Sequence, residues 1–141
     1  RVDRTIRPTY PGWVTKVLYP DLEATGPSEF NAATLDHWLH SNQKAGGSKG
    51  EVIFKHLKQN GMLASCLGLR DLEEIQKKGL AFFRKHFQDK AAFGWRSVVR
   101  RRRGPLFVPY LIEFDGRVVL HWYWLGNGWD ANGPALRFAS A

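Results

Sequence analysis

An α+β domain is the fold class this sequence predicts: about three helices packed on one face of a three- to four-stranded antiparallel meander, with an extended amino-terminal arm closing part of it. Three observations lead there. Four of the seven prolines fall within residues 1–30, apolar positions recur at helical spacing between 31 and 90, and from 91 to 141 the period becomes strand-like. With 141 residues, 43% hydrophobic and 24% charged, the chain has the size and composition of one globular domain with a real core, not of a disordered segment.

The arm comes first. Pro8, Pro11, Pro20 and Pro27 each remove a backbone donor and bias their predecessors to extended geometry, so no helix is expected over 1–30. Trp13, Val14, Val17, Leu18 and Tyr19 are too apolar for a linker and predict an ordered arm or short strand laid on the body. From Asn31 the pattern turns helical. Asn31 or Thr34 can cap, and Leu35, Trp38 and Leu39 share a face up to about Gln43.

Ala45, Gly46, Gly47 and Ser48 form a flexible connection. Ser48 and Glu51 then have the spacing of a capping box, which opens a second helix running to Asn60 with Ile53 and Leu57 inward and Gly61 as terminator. A third helix is expected over 69–88, where Leu72, Ile75, Gly79, Phe82 or Phe83, and Phe87 repeat near 3.6 residues. Asp71, Glu73 and Glu74 suit its positive start, and Arg84, Lys85 and His86 its negative end.

Strand-like runs follow at 93–99, 106–114, 118–125 and 135–139, separated by an arginine-rich turn, Asp115-Gly116 and Asn127-Gly128. Pro105 and Pro109 predict that the second of these strands is irregular or lies at an edge. Domain organisation is thus one unit, with arm 1–30, helical part 31–90 and sheet 91–141. The chain begins at Arg1, as expected of a trimmed or excised domain.

Charge is the most informative compositional fact. The net +8 is distributed as +1 over 1–50, +8 over 51–103 and −1 over 104–141, so the middle third is the part that attracts polyanions. No run of about 18 apolar residues exists, so no membrane-spanning helix is expected. The single cysteine, Cys66, lies in the apolar run 62–67 and reads as a buried reduced thiol, which places the protein in the cytoplasm.

The sharpest site is Arg96 with Arg100, Arg101, Arg102 and Arg103, four of them adjacent between two strands. Planar guanidinium forks at a hairpin tip match phosphate oxygens, whereas the bland alternative is a solvated turn that keeps a sheet edge from aggregating. Helices followed by a basic hairpin also have the element order of a winged helix, with Lys77, Lys78, Arg84 and Lys85 on the outward flank of the third helix.

Aromatic residues offer a second kind of contact. Alternation places Trp122 and Trp124 on one strand face and His121, Tyr123 and Leu125 on the other, and Trp129 follows. An open face would make a stacking platform for bases; a covered one makes core, and core is the expectation because the helices must cover the sheet.

Other chemistry finds little support. The loop from Asn127 to Pro134 has a D-x-N spacing without the remaining acidic ligands of a calcium loop, so an Asx turn is expected and no metal. His37 and His40, three apart on the first helix, lack the further ligands zinc would need. No phosphate loop, dinucleotide fingerprint or nucleophile elbow is present, so no cofactor is expected.

The reading is a non-enzymatic nucleic-acid-binding module, using the arginine-rich hairpin and the adjacent basic helix. One alternative is an adaptor domain recognising an acidic protein surface. Another is an enzyme built on Cys66, His121 and Asp130.

Overall fold

The structure, a computed structural model, describes residues 1–139; residues 140 and 141, the end of the expected sheet region, lie outside the described residues. In chain order the elements are β1 (Val14–Val17), β2 (Asp36–Trp38), α1 (Ser41–Lys44), β3 (Ser48–Lys49), α2 (Gly50–Gln59), α3 (Leu69–Lys77), α4 (Leu80–Phe87), β4 (Ala92–Phe93), β5 (Val99–Arg101), β6 (Leu106–Phe114), β7 (Arg117–Trp124), β8 (Gly128–Trp129) and β9 (Ala135–Arg137).

The long β6–β7 hairpin is the centre of the sheet. All eight residues of β7 pair antiparallel with β6, from Phe107 opposite Trp124 to Phe114 opposite Arg117. The other edge of β6 takes β5 at Leu106 and Phe107, and then β4 at Tyr110 and Leu111. β1 extends the sheet from β5, while β9 pairs parallel with β4 and antiparallel with β2. The expected small meander is therefore replaced by a mixed, mostly antiparallel sheet of seven strands, with β3 and β8 forming a separate pair.

Helices cover both faces of this sheet, not one. Val108 belongs to a core cluster with Ile53, Phe54 and Leu57 of α2, and Tyr110 packs against it. Leu111, of opposite parity on β6, belongs to a second cluster with Leu72 and Ile75 of α3 and Phe83 and Phe87 of α4. Because strand side chains alternate, the two clusters lie on opposite faces.

The extra strands come from segments whose local pattern points elsewhere. The region read as a first helix holds a 3₁₀ turn capped by Asn31, whose side chain accepts from Ala33 N at 2.9 Å, and then β2. Trp38 opposes Ala135 across the ladder, so its partner lies far along the chain, where local periodicity carries no signal. His37 is therefore on a strand beside Lys90, and His40 caps the short α1, with its Nδ1 accepting from Asn42 N at 3.0 Å. The two histidines do not share a helix face.

Two further boundaries differ. α2 has no side-chain cap, because Ser48 is held in β3 opposite Trp129 and its hydroxyl donates to Lys49 O. The single third helix is broken into α3 and α4 at Gly79, whose φ of +88° is the left-handed geometry that glycine adopts without Cβ strain.

Cys66 is fully buried in the first cluster, its backbone bridged to Arg137, and burial pushes its thiol up to about 12. Neutral thiols react poorly, so a disulfide reagent at pH 7.5 is expected to label Cys66 only as fast as the protein opens, and within seconds in 6 M guanidinium. Rapid labelling of the native protein would contradict this burial.

Candidate nucleic-acid interface

β5 and β6 meet in a tight turn that displays the arginine run. Arg101 N donates to Pro105 O at 2.8 Å and Gly104 N to Arg101 O at 3.0 Å, while Arg103 takes a φ of +74° and Gly104 one of +105°. Arg100, Arg101, Arg102 and Arg103 are all exposed. Arg100 donates to Gly104 O at 3.2 Å, and Arg101 lies with its guanidinium carbon 5.7 Å from the centre of the Trp13 ring. Among the described residues, no carboxylate lies within 4 Å of any of the four.

Arg96 is not part of this surface. It is only 2% exposed, and its guanidinium donates at 2.7 Å to Thr25 O and at 2.7 Å to Ala64 O, tying the arm to the segment before α3. Burial lowers its pKa from the ordinary arginine value, and Asp71 nearby offsets part of that. Buried and turned to backbone carbonyls, this guanidinium is out of reach of a phosphate.

The basic helix flank stands apart as well. Arg84 makes a two-pronged ion pair with Glu113, with Nε at 2.9 Å, and Lys77 pairs with Glu74 at 2.8 Å. Lys78 and Lys85 are exposed on the same helical layer. Glu113 is near the far end of β6, whereas Arg100 pairs with Leu106 at its start. Seven residues of strand separate them, roughly 23 Å at about 3.3 Å per residue. The basic helix flank and the arginine turn thus stand at opposite ends of β6.

The three tryptophans divide. Trp129 is core, 3% exposed and packed at 5.1 Å from Phe93 and 5.4 Å from Trp95. Trp122 is half-buried under Trp13, their ring centres 5.6 Å apart and nearly perpendicular, with Tyr10 at 6.2 Å. Trp124 departs from the expected core: it is 47% exposed, although Trp13 of the arm packs on Phe107, the residue opposite it. A Cβ built on Gly126 would lie 2.4 Å from Cζ2 of Trp124, so the indole rests directly on that glycine's backbone.

Sequence reasoning missed Trp13, Phe107, Lys49 and Gly126. Trp13 bridges the arm to the sheet at 5.2 Å from Phe107, and Lys49 donates to Gly126 O at 3.0 Å beside the Trp124 ring. Trp13 was legible as an apolar arm residue; nothing local marks Lys49 or Gly126.

Cys66, His121 and Asp130 do not converge. Cys66 is buried, His121 is exposed on β7, and Asp130 forms the expected Asx turn, with Oδ1 accepting from Asn132 N at 2.8 Å. Asp130 instead borders a shallow hollow of about 330 Å³ on the α2 side of the sheet, where Tyr110 and Tyr123 form the floor. Lys90 and Asp89 also line it, which leaves it without the net positive charge of the arginine turn. No helix among the described residues is long and apolar enough to cross a membrane.

Compared with protein-family models, curated proteins and solved structures, the chain matches none.

Proposed function

We propose that this chain is a nucleic-acid-binding module whose contact surface is the turn at arginines 100–103. The observation that carries the reading is four adjacent exposed guanidinium groups without a carboxylate partner among the described residues. Exposed cations left unpaired retain their donors and hydration for an incoming polyanion, and guanidinium forks bind phosphate in two-point fashion. The ion-paired Arg84 and Lys77 are already partly neutralised, and with Lys78 and Lys85 they stand outside this surface.

The test replaces the four arginines together, Arg100, Arg101 and Arg102 by Gln and Arg103 by Asn, a residue that tolerates positive φ. Wild-type affinity for an oligonucleotide is expected to fall steeply with salt. If four phosphates are neutralised, the variant's log–log slope flattens by roughly 3 on a single strand, from about 0.7 per phosphate. Its melting temperature is expected to stay near wild type, since exposed charges contribute little to stability. An unchanged slope would remove the proposal. Poly-glutamate binding as tight as the oligonucleotide's would favour an acidic protein partner instead.

A further inference from the structure

We infer that the surface around Trp124 selects single-stranded over double-stranded nucleic acid by stacking an unpaired base on its indole. This rests on reading the arginine turn as a nucleic-acid contact and adds the feature that discriminates between strands. The same ladder that ends in the turn sets Phe107 opposite Trp124 and Pro109 opposite Trp122, so both tryptophans lie on the face that Trp13 crosses. Trp13 seals Trp122 beneath it and takes Arg101 against its ring. Trp124 lies beyond that seal and is 47% exposed.

Two features suit this ring for a base. The close approach to Gly126 holds the indole on backbone, so little rotamer freedom remains to be lost when a ligand arrives. Cations belong to the same end of the sheet: the Lys49 ammonium bonds to Gly126 O, and Leu106, whose O accepts from Leu125 N at 3.0 Å, pairs with Arg100 at the start of the arginine turn. A flat exposed ring with cations nearby suits a base whose flanking phosphates need partners. A duplex offers the arginines the same phosphates, but its bases are stacked inside and give the indole nothing to pair with.

The experiment uses the full chain, with labelled 15-nucleotide oligo-dT and oligo-U and a mixed-sequence DNA duplex of equal length, titrated by fluorescence anisotropy. The wild type is expected to bind a single strand more tightly than the duplex. Trp124→Ala is expected to lower the single-strand to duplex affinity ratio about 5- to 150-fold, the effect of one stacked base. Trp124→Phe, which keeps a π-face, is expected to restore most of that ratio. Gly126→Ala leaves the indole in place chemically but drives it off its seat, and is expected to lower the ratio too.

A ratio in Trp124→Ala equal to wild type, with binding still lost on replacing the four arginines, would overturn the stacking inference and leave the arginine reading standing. Full binding by the arginine variant would overturn both. Equal lowering of single-strand and duplex affinity by Trp124→Ala, with its melting curve unchanged, would also overturn the discrimination.

Discussion

Arg96→Ala is expected to destabilise the fold by about 3–5 kcal/mol, more than replacing all four arginines of the exposed turn. Its guanidinium donates to the carbonyls of Thr25 and Ala64 from a site 2% exposed, and lies 5.5 Å from the Phe138 ring. Removing it opens a cavity and leaves two part-buried carbonyls without their donor, and losses at buried charged groups typically fall in that range. Arg96→Lys is expected to recover little, because one ammonium on a flexible stem cannot span two carbonyls on different segments. Urea unfolding of both variants beside wild type measures this, and a midpoint for Arg96→Ala near wild type would refute the role. Any loss of nucleic-acid binding in the variant is expected to follow the unfolded fraction alone.

Trp95→Ala carries the second large effect, also about 3–5 kcal/mol, the usual cost of truncating a buried large aromatic. Trp95 is fully buried between Phe54 of α2, at 5.9 Å and nearly parallel, and Trp129 at 5.4 Å, so it joins a helix to the sheet on one face. Its indole N–H has no hydrogen-bond partner among the described residues. Trp95→Phe therefore gives up area without losing a bond, and is expected to recover a large part of the loss. The comparison is made by thermal and denaturant unfolding. Equal destabilisation by Phe and Ala would mean that the indole makes an essential polar contact through water.

The helices whose evidence is local were legible in the sequence. α2 lies where Ile53 and Leu57 predict it, and Gly61 has the left-handed φ of +64° expected of a terminator. α3 and α4 carry Leu72, Ile75, Phe83 and Phe87 inward as their spacing requires, and Gly79, visible as a weak point, is where the helix breaks. The β6–β7 hairpin closes at Asp115 and Gly116, both at positive φ, as an Asp-Gly turn demands. The candidate interface was legible only as charge: the arginine run announces its own turn, yet Trp13, which Arg101 lies over, and Lys49 and Gly126 beside Trp124, come from three distant parts of the chain.

By itself, then, the sequence determined the α2, α3 and α4 segments, the central hairpin, the burial of Cys66 and the arginine turn, because each depends on residues within a few positions of one another. Tertiary structure alone decided that β1 and β2 join the sheet, that helices cover both of its faces, and that Arg96 points inward while its neighbours in the basic segment point out. It also decided that Trp129 is core and Trp124 is exposed. The physical reason is common to all of these: strand pairing and burial are satisfied by partners anywhere in the chain, so a residue's own neighbours in sequence do not say which face will be covered or which donor will find a carbonyl.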